Sequence, residues 1–224
     1  MDTCIKKNLV ATCSSDKTVK IWSYSNAGGL NLEINQLFMD DALCVAFHPS
    51  GFNIVIGFPD GIRMMNIFKD SLVSYKNISN IKNCREIVFS NGGHLFACQN
   101  NNNVCVFKFY TADNPLNYVF KKHSGLIRRI SWLADDTGFI SIGWDQALFF
   151  WKLDQPEPVW TYKKGNTVDF NCLTSYKAEK SEGPNDKNEP FIYVTGNDKS
   201  IRELKGFQKN PNNKDGLPEG TLKK

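Results

Sequence analysis

The sequence has few of the residues that build metal sites. It contains only three histidines among 224 residues, and its seven cysteines form no CxxC pair. Zinc sites use cysteine and histidine at short, regular spacings, and the irregular spacing here does not match them. We therefore predict no metal site and no cofactor. We expect instead that several cysteines are small, buried, apolar side chains of strands in a reducing compartment.

Long hydrophobic runs are also missing. No stretch approaches the roughly 18 apolar residues of a membrane span, and the start, MDTCIKKNLV, has no apolar run followed by a cleavage site. The net charge of +4 is small, so it gives no reason to expect nucleic acid or an anionic membrane as a partner. With 41% hydrophobic and 22% charged residues, we expect a globular, cytoplasmic protein without a signal peptide.

What the sequence does contain is a repeat. In five places a turn residue precedes the end of a strand by six positions. The turn residues are Asp16, Asp60, Asn101, Asp145 and Asp198, and the strand ends are Trp22, Asn66, Phe107, Trp151 and Leu204. The strand ends are 44, 41, 44 and 53 residues apart (22 to 66, 66 to 107, 107 to 151, 151 to 204), and a polar insertion at 179–190 lengthens the last interval. A hairpin repeated every 40–45 residues or so is typical of propeller blades.

Further strands precede the hairpins. LCVAFHPSGFN, REIVFSNGGHL and IRRISWLADDTGF each read as an alternating apolar strand followed by a Gly-containing turn. No segment has a helical period with capping residues, so the fold class is predicted to be all-β.

These residues resemble the WD-repeat β-propeller family. The fourth repeat matches the family best, through KHSG and then the residues His123, Ser141, Asp145 and Trp151. The resemblance implies that these four side chains form a hydrogen-bonded chain, in which the buried indole and hydroxyl find partners. The other repeats keep only part of the pattern, namely Thr12, Asp16, Trp22, Asp60, Asn101, Phe107 and Asp198. We expect all of these residues to be structural.

The predicted domain is a propeller over 1–205 with five blades ending near 22, 66, 107, 151 and 204, in an incomplete or open ring. Residues 1–24 are expected to hold only the later strands of the first blade, and 206–224 to form a flexible tail. An open ring would leave strand edges for a second chain that completes the propeller. We favour either a fragment of a longer polypeptide or a propeller that such a second chain completes, and a closed ring of five blades is the alternative.

A closer resemblance covers roughly residues 8–204. The combination of AFHPSGFNIVIGF, FSNGGHLFA and SIGWDQALFFW is similar to cilia- and flagella-associated WD-repeat proteins of the motile axoneme. That resemblance implies a non-enzymatic scaffold in the cytoskeleton of the cilium axoneme, which helps to anchor or regulate inner dynein arms on doublet microtubules. Related WD-repeat or coiled-coil subunits would be its partners. A generic cytosolic adaptor of another multiprotein complex is the alternative.

Candidate contact residues lie next to the repeat turns. Trp144 and Phe58 are aromatic residues near turn aspartates, and Arg128 with Arg129 precedes a strand. Such residues can bind a partner, or they can pack on a neighbouring blade and form a solvated surface pair. We predict no catalytic residues, because the turn aspartates belong to separate blades and no nucleophile elbow or phosphate loop is present.

Overall fold

A computed structural model describes residues 1–25, 28–111, 115–163, 169–176 and 191–204. Within these ranges the regular structure is nineteen β-strands and one short 3-10 turn at Ile5–Lys7. The strands form five antiparallel sheets, and the predicted all-β propeller class is confirmed. The insertion at 179–190 and the tail at 206–224 lie outside the described residues.

The first sheet has four strands in the order β1-β2-β3-β4, which are Asp2–Cys4, Leu9–Cys13, Thr18–Tyr24 and Leu30–Leu37. The expectation that residues 1–24 lack the first strand is therefore wrong. β1 pairs with β2 from Asp2 opposite Ala11 to Cys4 opposite Leu9. β1 could not be predicted from the sequence, because three residues are too few to show an alternation of apolar and polar side chains. Its side chains are nevertheless engaged, since Asp2 accepts a hydrogen bond from the amide of Phe47 at 2.7 Å.

The second and third sheets repeat this plan. The second has the order β5-β6-β7-β8, with bounds Cys44–Phe47, Asn53–Gly57, Ile62–Ile67 and Leu72–Ile78. The third has the order β12-β11-β10-β9, and in chain order its strands are Ile87–Phe89, Leu95–Asn100, Asn103–Lys108 and Pro115–Lys121.

The last two sheets contain the best-matched repeat and the final hairpin. The fourth has the order β13-β14-β15-β16, with bounds Ile127–Trp132, Gly138–Gly143, Ala147–Lys152 and Trp160–Lys163. The fifth has three strands among the described residues, in the order β17-β18-β19, with bounds Phe170–Tyr176, Phe191–Gly196 and Ile201–Leu204.

Each predicted hairpin is the second and third strand of a sheet, so all five hairpins are confirmed. In the first four sheets a fourth strand follows the residue that ends the repeat pattern. Trp22 and Trp151, for example, lie on third strands. The fourth strands escape the sequence pattern because they are partly polar, as in LNLEINQL of β4, whose side chains are mostly exposed.

By its internal contacts the chain divides into two compact units. The first comprises Met1–Asn101 and Cys105–Leu116, and the second comprises Asn102–Val104 and the chain from Asn117 onward. The first unit has a core that includes Val19, Ile21, Ile54, Ile56 and Phe58. The core of the second includes Ile140, Ile142, Leu148, Phe150, Phe170 and Val194. Several strands of both units are buried along nearly their whole length, such as β6 and β14, so both faces of these strands are covered.

The cysteines behave as expected for apolar residues. Five are buried, and these are Cys4, Cys44, Cys84, Cys98 and Cys105. Cys13 is partly buried and Cys172 is exposed. The prediction that several cysteines serve as buried strand residues is confirmed.

Candidate interaction site

Four side chains of the fourth sheet form one hydrogen-bonded chain. The indole Nε1 of Trp151 donates to Ser141 Oγ at 2.8 Å. Ser141 Oγ lies 2.8 Å from His123 Nε2. On the other side of the ring, His123 Nδ1 lies 2.9 and 3.0 Å from the two carboxylate oxygens of Asp145. The structure thus brings together the four residues that the sequence singled out in this repeat.

The hairpin β14–β15 positions three members of this chain. Ser141 lies within β14, Trp151 lies near the end of β15, and Asp145 occupies the turn between them. The turn is closed by the aspartate, since Asp145 Oδ1 accepts from the amide of Ala147 at 3.3 Å and Oδ2 accepts from the amide of Ser124 at 2.9 Å. A glycine is required at 143, because a Cβ there would lie 2.7 Å from His123 Nδ1 and 2.8 Å from Asp145 Oδ1.

The charge of Asp145 sets which atoms donate and which accept along the hydrogen-bonded chain. Burial raises the pKa of Asp145, but the hydrogen bonds from His123 and from the amide of Ser124 outweigh it and hold the pKa below its usual value. An ionised Asp145 accepts from His123 Nδ1–H. The Nε2 of a neutral imidazole is then an acceptor for the Ser141 hydroxyl, whose oxygen accepts from Trp151. Each side-chain donor and acceptor that links Trp151, Ser141, His123 and Asp145 therefore has a hydrogen-bond partner.

The same order of serine, histidine and aspartate occurs in hydrolases, so its chemistry requires comment. A nucleophilic serine must reach its substrate and have its oxygen available. Ser141 and Trp151 are fully buried, with 0% relative exposure each, and the indole N–H occupies the serine oxygen. The arrangement therefore stabilises the hairpin and offers no access for a substrate.

The first repeat keeps two of these contacts. Trp22 Nε1 donates to Thr12 Oγ1 at 3.2 Å. Asp16 accepts from the hydroxyl of Thr18 at 2.6 Å and from its amide at 2.9 Å. These hydrogen bonds from Thr18 lower the pKa of Asp16. The aspartate thus closes its turn without the help of a histidine.

The remaining repeats replace the chain with other contacts. Asp60 pairs with Arg63 at 2.9 Å, and Asp198 accepts from Ser200 Oγ at 2.8 Å and pairs with Arg202. In the third repeat Asn101 takes a positive φ of 56°, a conformation that asparagine tolerates well. Phe107 is buried there and stacks on Phe96, with ring centroids 5.3 Å apart.

Trp144 and Arg128 form a stacked pair on the surface of the second unit. The carbon of the Arg128 guanidinium lies 4.2 Å from the centroid of the Trp144 ring. Arg128 Nη1 also donates to the carbonyl of Phe170 at 3.1 Å. Trp144 is 57% exposed and Arg128 is partly exposed, so both residues of the pair are accessible at the surface. Arg129, the neighbouring candidate, is also exposed.

The expectation that Phe58 contacts a partner is wrong. Its side chain is fully buried and packs on Phe38, with ring centroids 5.1 Å apart, while the guanidinium of Arg63 covers it at 4.2 Å. Side chains alternate along a strand, and Phe58 continues the inward series of Ile54 and Ile56. It stands two residues before the turn aspartate, whereas Trp144 stands one residue before.

The sequence pattern misses a polar bridge beside the Trp144–Arg128 pair. Gln146 Nε2 donates to Asp169 Oδ1 at 2.9 Å, and Asn197 Nδ2 donates to Asp169 Oδ2 at 3.2 Å. The bridge joins the turn of the fourth sheet to that of the fifth. No motif signals it, because its three residues are distant in the sequence and come from different loops.

Within the described ranges, no helix is long and apolar enough to cross a membrane. No group of three or more His, Cys, Asp or Glu side chains in that part of the chain is arranged to hold a metal ion.

Several known proteins are similar in sequence to this chain. The family model "WD domain, G-beta repeat" matches residues 3–23. The chain is 49% identical over 173 residues to cilia- and flagella-associated protein 57 A of Tetrahymena thermophila, which covers 77% of this chain and 13% of that protein. It is 38% identical over 222 residues to protein 57 C of the same organism, covering 91% of the chain and 16% of that protein. For cilia- and flagella-associated protein 57 of Mus musculus the identity is 36% over 204 residues, with 91% and 15% covered.

Proposed function

Because the chain belongs to the WD-repeat family, we propose that it is a non-enzymatic scaffold of the motile ciliary axoneme. The observation that carries this proposal is its identity of 36–49%, over 77–91% of the chain, to proteins named as cilia- and flagella-associated. The chain spans only 13–16% of the length of these relatives. Their names therefore support a location and a type of role.

The geometry supports a scaffold in preference to an enzyme. The one Ser–His–Asp arrangement in the described residues is buried and capped by Trp151. The exposed features are instead those of a binding surface, since an accessible tryptophan and a fixed arginine lie together on the second unit. Aromatic residues and arginine contribute most to protein–protein interfaces.

Within the axoneme, we place the chain with the inner dynein arms on doublet microtubules. Its partners there would be inner-arm components and related WD-repeat or coiled-coil subunits. A second chain that contributes strands to the propeller is a further partner that this role allows. The residues proposed for the contacts are Trp144, Arg128 and Arg129, and those proposed as structural are the repeat residues described above.

Fractionation of a ciliated cell tests the location. The chain would be expressed with an epitope tag, and axonemes would be isolated, washed with salt and blotted beside the detergent-soluble fraction. A salt-resistant axonemal band is expected. A band only in the soluble fraction would refute the axonemal proposal and favour a cytosolic adaptor. A mutant strain that lacks inner dynein arms is the matched control for the finer assignment, because loss of the axonemal band there would support the inner-arm location.

A further inference from the structure

Arg128 is fixed in place but pairs with no acidic side chain in the part of the chain that the structure describes. Its guanidinium is held by the ring of Trp144 on one face and by the carbonyl of Phe170 at Nη1. None of the ion pairs within the described residues includes Arg128. A guanidinium carries five N–H donors in one plane, and stacking leaves the edge of that plane open. Arg128 therefore has N–H donors to spare, and no described carboxylate forms an ion pair with it.

The acidic residues around Arg128 are each used by other groups. Asp145 binds His123 and two amides. Asp169 binds the amides of Gln146 and Asn197, and Asp198 pairs with Arg202. None of these three carboxylates is therefore hydrogen-bonded to the Arg128 guanidinium, which keeps N–H donors available for another acceptor.

Apolar surface lies beside this cation. Trp144 is 57% exposed and Leu126 is 51% exposed. The two residues are joined by a hydrogen bond from the amide of Trp144 to the carbonyl of Leu126 at 2.9 Å. The backbone that carries both is therefore fixed. Exposed apolar side chains beside a fixed charge are typical of peptide-binding surfaces.

We propose that Leu126, Arg128 and Trp144 bind an acidic, extended peptide segment of a partner protein. A carboxylate of the segment accepts hydrogen bonds from the free edge of the Arg128 guanidinium, and the neighbouring backbone of the segment lies on Trp144 and Leu126. This inference specifies the kind of partner that the scaffold proposed above would bind, and it rests on that proposed function.

Charge complementarity and preorganisation both favour this occupant. Carboxylates bind guanidinium groups through two parallel hydrogen bonds, which are stronger than bonds between neutral groups. The stacking and the Phe170 carbonyl already restrict the long side chain of Arg128, so little further conformational entropy is lost on binding. A lysine at this position would keep the charge but lose the planar fork.

Fluorescence anisotropy with the purified full chain tests the proposal. The probe is a labelled peptide of alternating glutamate pairs and glycines, with the same peptide containing glutamine as the neutral control. We expect the glutamate peptide to bind more tightly. Arg128→Gln should weaken binding about tenfold, the scale of a charge-assisted contact. Arg128→Lys and Trp144→Ala should each weaken it less, and raising the salt from about 0.15 to about 0.5 M should weaken it further.

Arg85→Gln is the matched control. Arg85 is exposed and lies in the first unit, so its loss removes the same charge from a different surface. Equal losses for Arg85→Gln and Arg128→Gln would overturn the proposal, since binding would then reflect net charge alone. Equal affinity for the glutamine peptide, or tighter binding of a phosphoserine peptide, would also overturn it. The assay requires no cilium, so a negative result here leaves the axonemal proposal standing, and a soluble location in cells leaves the peptide affinity unchanged.

Discussion

At the scale of single residues, Ser141 is the member of the hydrogen-bonded chain that serves two partners. Its oxygen accepts from the indole of Trp151 and its hydroxyl donates to His123. Both partners are buried, so neither can find water when the hydroxyl is removed. A buried polar group without a partner costs more than the net worth of the bond it loses.

We therefore predict that Ser141→Ala lowers the free energy of unfolding by about 1–3 kcal/mol for each of the two orphaned groups. Thr12→Ala is the matched control, because it removes the equivalent hydroxyl of the first repeat. That hydroxyl serves only Trp22, and both residues are partly exposed. The control should lose less stability in the same urea titration. Equal losses of unfolding free energy in the two variants would mean that the burial of the hydrogen bonds at Ser141 does not determine how much they stabilise the protein.

At the scale of elements, His48 links two turns of the first unit. It lies in the turn after β5, where Nδ1 accepts from the amide of Ser50 at 3.1 Å. Its Nε2 lies 3.1 Å from the carbonyl of Gly93, in the turn between β9 and β10. The ring also packs on Phe109, with centroids 4.5 Å apart. Both nitrogens are used by a neutral imidazole, with Nε2–H as the donor and Nδ1 as the acceptor.

This geometry predicts a pH dependence of stability. Burial lowers the pKa of His48, and Lys6 lowers it further, although the Gly93 carbonyl raises it. In the unfolded chain His48 takes up a proton near pH 6.5, which is the ordinary pKa of histidine. In the folded chain it takes up the proton only at a lower pH. Stability is full above about pH 6.5 and falls as the pH drops from there toward the lower folded pKa.

His48→Gln should flatten this dependence, since glutamine can donate to Gly93 but does not titrate. The measurement is the free energy of unfolding between about pH 8 and pH 5 for both proteins. A variant at the other buried histidine would alter the second unit, so the comparison is made at His48 alone. Identical pH slopes for the parent and the variant would exclude His48 as the titrating group.

The elements also show how far sequence reasoning reaches. Repeat spacing predicted all five hairpins, because a turn residue six positions before a strand end leaves a strong local pattern. The resemblance to the WD-repeat family, and not the spacing alone, singled out the four residues that the structure joins at Ser141. Prediction from the sequence failed where a strand was very short or where a contact joins residues that are distant in the sequence. β1 has only three residues, Phe58 is buried against Phe38, which lies far from it in sequence, and the Asp169 bridge joins loops that are far apart in sequence.

At the scale of the whole molecule, each compact unit has an apolar core of its own. The core of the first unit lies among strands β1 to β8, and that of the second among strands β14 to β19. Regions with separate cores tend to open as separate cooperative units, with their own free energies of opening. A substitution deep in one core should then act mainly on the amides of that unit.

Hydrogen exchange followed by mass spectrometry can test this separation with the same Ser141→Ala variant. We expect faster exchange in β14 and β15, where the orphaned indole and imidazole weaken the hairpin. Peptides from β6 and β7 should keep their protection, because no member of the hydrogen-bonded chain belongs to the first unit. A matched loss of protection in β6 and β7 would show that the two units open together. In that case stability would be a property of all the sheets jointly, and contacts at the Trp144–Arg128 surface would stabilise the first unit as much as the second.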